Sequence, residues 1–99
     1  MSADSSEWTA VVTRARLIRQ RLGENIHRER TQAGVSQSSL AKACQVTRNT
    51  ISRLERGEQE PRISTLVAFS LALRVPLTAF LVGLPTVEEA APIDNIATK

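Results

Sequence analysis

Arg48, Asn49, Arg53 and Arg56 stand within the nine-residue segment RNTISRLER. An arginine fork matches the O6 and N7 acceptors of guanine, and an asparagine amide matches N6 and N7 of adenine. Reading of this kind needs the side chains to project together from one rigid face. On a helix of about 3.6 residues per turn, Ile51 and Leu54 point inward, Asn49, Ser52, Arg53 and Arg56 point outward, and Arg48 sits at the exposed leading end. An ordinary solvated helix face could carry the same charges, so the flanking residues decide between the two readings.

Those flanks supply helix ends. Thr47 is a good N-cap, because its hydroxyl can accept a bond from an orphan N–H, and Gly57 stands where a left-handed C′ residue is wanted. The spacing predicts a helix over about Arg48–Arg56. Just upstream, Ser36 caps a second short pattern in which Leu40, Ala41 and Ala43 or Cys44 form an apolar stripe, predicting a helix over about Gln37–Cys44. Only Gln45 and Val46 separate the two. Helices so short and so closely joined cannot lie side by side and must cross steeply, which is a helix-turn-helix arrangement.

Ninety-nine residues make one small domain, with a modest core and no room for a deep catalytic cavity beside it. Residues 14–74 hold twelve of the thirteen Lys and Arg against five of the ten acids, a net +7, while 1–13 and 75–99 are each −2. A basic middle between acidic ends is the footprint of nucleic-acid binding, although basic domains also meet anionic membranes. Enzyme chemistry has little support: there is no Gly-rich phosphate loop, no metal-ligand cluster and no closely spaced Ser/His/Asp set. No cofactor or metal is implied. Cys44 is the only cysteine and reads as a small core hydrophobe, and His27 reads as a surface residue. The acidic start, MSADSSEW, lacks an apolar targeting core, and no apolar run is long enough to span a bilayer. The expected location is cytoplasmic, with no membrane partner.

Along the chain, Trp8, Val11, Val12, Ala15, Ile18, Leu22 and Ile26 recur at spacings of three and four. They predict one helix, or two with a bend near Gly23, from about Glu7 to Ala33. Arg14, Arg16, Arg19, Arg21, Arg28 and Arg30 decorate it, either as a solvated face or as phosphate contacts. Glu55 falls on the flank of its helix, so it should be partly buried and need a cationic partner. Pro61 breaks the chain before an apolar helix over Ile63–Leu73, and Pro76 starts a last short helix over Leu77–Val82 that ends at Gly83, with Phe80 and Leu81 as core candidates. The apolar set Val67, Leu71, Leu77, Val82 and Leu84, with Trp8, Val11 and Val12, exceeds what one small core needs. It predicts a two-fold dimer interface, unless the N-terminal helix folds back over this surface within a monomer. The expected organisation is a mostly helical extension at 1–18, a DNA-binding domain at 19–84 and a flexible tail at 85–99.

The ordered set Leu22, Ile26, Arg30, Gly34, Ser36-Gln37, Leu40-Ala41, Val46-Thr47, Ile51-Ser52, Leu54-Glu55-Arg56-Gly57, Pro61, Leu66 and Leu73 resembles the phage repressor and Cro (XRE) family of helix-turn-helix regulators. The resemblance implies an all-α, five-helix domain, here with an extended or additional N-terminal helix. It implies a structural salt bridge between Arg30 and Glu55, and a Gln37 that bonds phosphate and braces the recognition helix. Thr47, Ser52, Arg56 and Arg62 become phosphate candidates, and Arg48, Asn49, Thr50 and Arg53 become candidates for base edges. The implied function is a sequence-specific transcription regulator that binds a palindromic operator in double-stranded DNA as a homodimer. Two other jobs suit the same fold: an antitoxin that masks a toxin and represses its own promoter, and a protein-interaction adaptor. A toxin or RNA polymerase would then be a protein partner. The chain departs from the family pattern at Gln45 and Arg74, where glycine is common, at Arg62, where a capping serine is common, and at Ser70, where a small apolar residue is usual.

Overall fold

The computed structural model describes residues 5–85, so the expectations for residues 1–4 and for the tail from 86 onward lie outside the described residues. Four α-helices run in order: α1 Ser5–Gln32, α2 Gln37–Cys44, α3 Arg48–Glu55 and α4 Ile63–Leu73, followed by a 3-10 turn at Leu77–Leu81. No strand occurs among the described residues. The domain is all-α, as expected, but the fifth helix is a single 3-10 turn rather than an α-helix. Val82 is already extended (φ −67°, ψ 133°), so the turn ends one residue earlier than predicted. Five residues after a proline leave too little chain for an α-helical hydrogen-bond ladder to propagate. The short turn also corrects one core candidate: Phe80 is fully buried, whereas Leu81 is 43% exposed.

The core is aliphatic apart from two phenylalanines. Leu22 and Ile26 of α1, Leu40 and Ala41 of α2, Ile51 and Leu54 of α3, and Leu66, Phe69 and Leu73 of α4 close around Phe80. Phe69 and Phe80 meet edge to face, with centroids 6.4 Å apart and planes at 79°, the geometry favoured by the ring quadrupole. Cys44 and Val46 pack at the margin, and burial raises the Cys44 thiol pKa.

α1 is one continuous helix of 28 residues, unbroken at Gly23. The glycine serves close approach instead. A Cβ there would lie 2.3 Å from the Leu54 carbonyl oxygen and 2.7 Å from that of Glu55, so the bare backbone lets the end of α3 settle against α1. The opposite flank of α1 grips the last turn through polar side chains. Asn25, only 5% exposed, donates from Nδ2 to the carbonyls of Phe80 and Val82, both at 2.8 Å. Arg28 donates to Asn25 Oδ1 at 2.8 Å and to the Ala79 carbonyl at 3.3 Å, and Arg21 donates to the Gly83 carbonyl at 2.7 Å. These bonds satisfy carbonyls that a 3-10 turn and its extended exit leave without backbone partners.

The departures at the turns have local causes. Gln45 adopts a left-handed conformation (φ 59°) as the C-cap of α2, and its N–H bonds the Ala41 and Lys42 carbonyls. Arg74 does the same after α4 (φ 57°). There the Ser70 hydroxyl donates to the Val75 carbonyl at 2.5 Å while the Val75 N–H donates back to the Ser70 carbonyl at 3.1 Å. The serine at position 70 thus fastens a turn that lacks a glycine.

Candidate nucleic-acid interface

Both short helices start on the expected caps. The Ser36 hydroxyl accepts from the Ser39 N–H and the Thr47 hydroxyl from the Thr50 N–H, each at 3.0 Å. With Gln45 turning the chain between them, α3 is set across α2 and buries Ile51 and Leu54. The opposite side carries the candidate reading groups. Arg48, Asn49 and Arg53 are exposed, and their side chains make no hydrogen bond or ion pair with the other described residues. Thr50 is half-buried, its hydroxyl 2.9 Å from that of Thr47.

Behind this face, one carboxylate organises the supports. Glu55 takes two bonds from Arg30, Nε to Oε2 at 2.5 Å and Nη2 to Oε1 at 3.0 Å. Gln37 Nε2 donates to Glu55 Oε1 at 3.0 Å, and His27 Nδ1 lies 3.0 Å from the same oxygen. Arg30 also donates from Nη1 to the Val35 carbonyl at 2.7 Å. The ion-pair side chains are 9% and 6% exposed. Burial opposes the Glu55 charge, but the bonds from Arg30, His27 and Gln37 outweigh it and hold the carboxyl below its ordinary pKa. Two elements thereby converge on the C-terminal end of α3, α1 through Arg30 and His27 and the start of α2 through Gln37, and Arg30 is tied in turn to the loop after α1 at Val35. Arg30 and Glu55 form a buried ion pair, and Gln37 bonds the same carboxylate. His27 has a partner the sequence reading missed. Its signal was its place one turn before Arg30 on α1, which puts both side chains on one face.

The phosphate candidates divide. Arg56 is exposed, with Nε 2.9 Å from Glu58 Oε2 and Nη1 2.6 Å from the Ser52 hydroxyl, so both Arg56 and Ser52 are engaged within the chain. Thr47 is exposed as the cap of α3. Arg62 is exposed at the N-cap of α4, where its side chain makes no cap bond. A shallow hollow of about 240 Å³, lined by Thr50, Pro61 and Arg62 among others, lies between α3 and this loop. Thr50 of α3 and Arg62 of the loop before α4 therefore border one hollow, with Glu60 also on its wall. Among the described residues no cluster of side chains could hold a metal ion, and no helix is long and apolar enough to cross a membrane.

The expected dimer residues lie away from this support. Leu71 is 75% exposed and Val82 60%, Val67 and Leu77 are also exposed, and Leu84 is half-buried against the core. Ile63 and Leu81 join the exposed apolar group.

A family model described as helix-turn-helix, HTH_3, matches residues 26–80. No curated protein sequence matches significantly. Among solved structures, the clp gene regulator ClgR from Corynebacterium glutamicum is 32% identical, with a TM-score of 0.65 over 67% of this chain and 70% of its own. The DNA-binding domain of the P22 C2 repressor is 35% identical, with a TM-score of 0.59 over 65% of this chain and 86% of its own. The restriction-modification controller protein C.AhdI from Aeromonas hydrophila shares the fold at 23% identity, with a TM-score of 0.60 over 62% of this chain and 92% of its own.

Proposed function

The chain belongs to the helix-turn-helix family HTH_3, and from that membership we propose that it is a transcriptional regulator that reads a palindromic operator in cytoplasmic DNA as a homodimer. One observation carries the reading: Arg48, Asn49 and Arg53, which make no side-chain hydrogen bond or ion pair among the described residues, stand on the exposed face of a helix whose C-terminal end is locked by Arg30, Glu55 and Gln37. Long side chains read bases with fidelity only when the element beneath them is rigid. Arg48, Asn49 and Arg53 address base edges in the major groove, and Thr50 contributes at their margin. Gln37, Thr47 and Arg62 take backbone phosphates. Ser52 and Arg56 do so after Arg56 exchanges Glu58 for a phosphate, a swap that leaves the guanidinium paired and releases counterions from the DNA.

The homodimer rests on the exposed apolar group of α4 and the last turn, with Val67, Leu71, Leu77 and Val82 forming the contact and Leu84 at its edge. A two-fold axis through this face would place the recognition helices about 34 Å apart, one turn of DNA.

Selection from a random duplex pool at near-physiological salt tests the proposal. A palindromic motif with half-sites one turn apart is the expected result, and salt-sensitive binding without a motif would reject sequence reading. On the selected site, Arg48→Ala should cost about 1–3 kcal/mol and relax preference at one base pair, and equal losses on selected and random duplexes would remove Arg48 from the reading set.

A further inference from the structure

The N-terminal half of α1 projects beyond the helix-turn-helix unit. Its apolar residues continue the line that enters the core at Leu22 and Ile26. Trp8, Val11, Ala15 and Ile18, followed by Leu22, fall at alternating spacings of three and four, the seam of a two-helix coil. From Glu7 to Arg21 no residue is buried, and Trp8 (55% exposed) and Val12 (44%) are open to solvent. By helical rise the seam from Trp8 to Leu22 is about 21 Å long.

Its charge says what fits there. Residues 8–23 contain Arg14, Arg16, Arg19 and Arg21 and no acid. Arg14 and Arg21 flank one edge of the seam, and Arg19 flanks the other. Among the described residues only Arg19 has an acidic ion-pair partner, Glu60, at 3.7 Å across exposed surface, while Arg21 bonds a carbonyl, which leaves its charge uncompensated there. A second copy laid along this seam would set arginines against arginines, and like charges at flanking positions oppose pairing. An anionic bilayer would attract the arginines, but a seam one or two side chains wide, with Ala15 at its centre, suits the ridge of another helix better than insertion into lipid. We propose that the N-terminal half of α1 is a docking surface for an acidic amphipathic helix of a partner protein, with Trp8 and Val11 of the seam, and Val12 at its edge, taking the apolar face and Arg14, Arg19 and Arg21 the carboxylates. The proposal is independent of operator reading, which rests on α3.

Trp8 is the only tryptophan, so its fluorescence reports occupancy directly. The probe is a synthetic three-heptad helix with leucine at the seam positions and glutamate at the flanking positions, compared with a lysine-flanked version and a scrambled glutamate version, each titrated into the full chain. Saturable binding of the glutamate helix with a blue shift of Trp8, at least about tenfold tighter than either control, is expected. Arg14→Glu with Arg19→Glu should abolish that preference or reverse it towards the lysine helix, with helicity by circular dichroism unchanged. Equal response to all three peptides, or no effect of the charge reversal, overturns the proposal. So does a Trp8 that is blue-shifted and shielded from quencher in the dilute chain alone, which would assign the seam to residues 86–99. A shift that grows with the chain's own concentration would assign it to a second copy. A shift on phosphatidylserine-containing vesicles or duplex DNA, without a response to the glutamate helix, would assign the arginines to those partners instead.

Discussion

Between Leu22 and Arg30, α1 places Leu22, Asn25, Ile26 and Arg30 in the interior, each at most 8% exposed; between Glu7 and Arg21 the same helix has residues that are exposed or half-buried but none in the interior. The apolar spacing is continuous through both halves, and the arginine content is similar. What separates them is the other chain segments. Around the second half stand the end of α3, pressed against Gly23, and the last turn, held by Asn25 and Arg28. Before Gln20, which meets Gly57, the described segments leave α1 exposed or half-buried, with Arg19 reaching Glu60. An amphipathic pattern therefore states which face is available for burial, and topology states how far along the helix burial extends.

Four substitutions or titrations sharpen that contrast, beginning with the largest effect. Arg30→Ala leaves the Glu55 carboxylate buried without its main partner and should destabilise the fold by about 3–5 kcal/mol in urea unfolding, whereas Arg14→Ala in the first half should leave the midpoint unmoved. A small loss for Arg30→Ala would mean that Gln37 and His27 alone can hold the carboxylate. Gly23→Ala comes next. In a free helix face the change would help by up to about 1 kcal/mol. Here the new methyl meets two backbone carbonyls, and a loss of about 2 kcal/mol is expected, because backbone cannot move aside as a flexible side chain can. A stabilised Gly23→Ala protein would show that the approach of α3 to α1 is looser than the structure places it.

The third effect is graded by pH. The Glu55 carboxyl is held below its ordinary range in the folded chain, so its contribution is complete above the unfolded pKa and is lost as pH falls through the lowered folded value. Stability measured through the acid range should decline accordingly, and Glu55→Gln should flatten this part of the decline while lowering stability at neutral pH. An unchanged slope in Glu55→Gln would place the acid-sensitive group elsewhere. Smallest of all, Trp8→Ala and Val12→Ala should stay within about 0.5 kcal/mol of the parent, as surface changes do. A loss near that of a core truncation, roughly 2–5 kcal/mol, would mean that the first half of α1 is covered in solution.

Much of the interface was legible in the sequence because its signals are local. Ser36 and Thr47 announce helix starts through side chains that bond backbone two or three residues on, and Ile51 and Leu54 sort α3 into an inner and an outer face within two turns. Arg48, Asn49 and Arg53 follow from that sorting. The partners of Glu55 were only half legible: burial at its flank calls for a cation, but no spacing rule states that Gln37 and His27 will converge on the same oxygen. The polar grip of Asn25 on Phe80 and Val82 had no signal, since a mid-helix asparagine reads as neutral until the carbonyls it satisfies are brought to it from 55 and 57 residues away. In a short helix over Leu77–Val82, Leu81 is a core candidate beside Phe80, and the 3-10 turn leaves it exposed instead.

By itself, then, the sequence determined the all-helical class, the order of the helices from α2 onward, the caps of α2 and α3 at Ser36 and Thr47, and the cationic face of α3. All of these depend on interactions within about one turn of the chain, where residue type and spacing suffice. Only the tertiary structure decided that Gly23 is a contact point rather than a bend, that Glu55 gathers three supports, and that the apolar seam of α1 is buried along one half and only half-buried or exposed along the other. Those outcomes depend on which distant segments return to a given surface, and a periodicity carries no record of that.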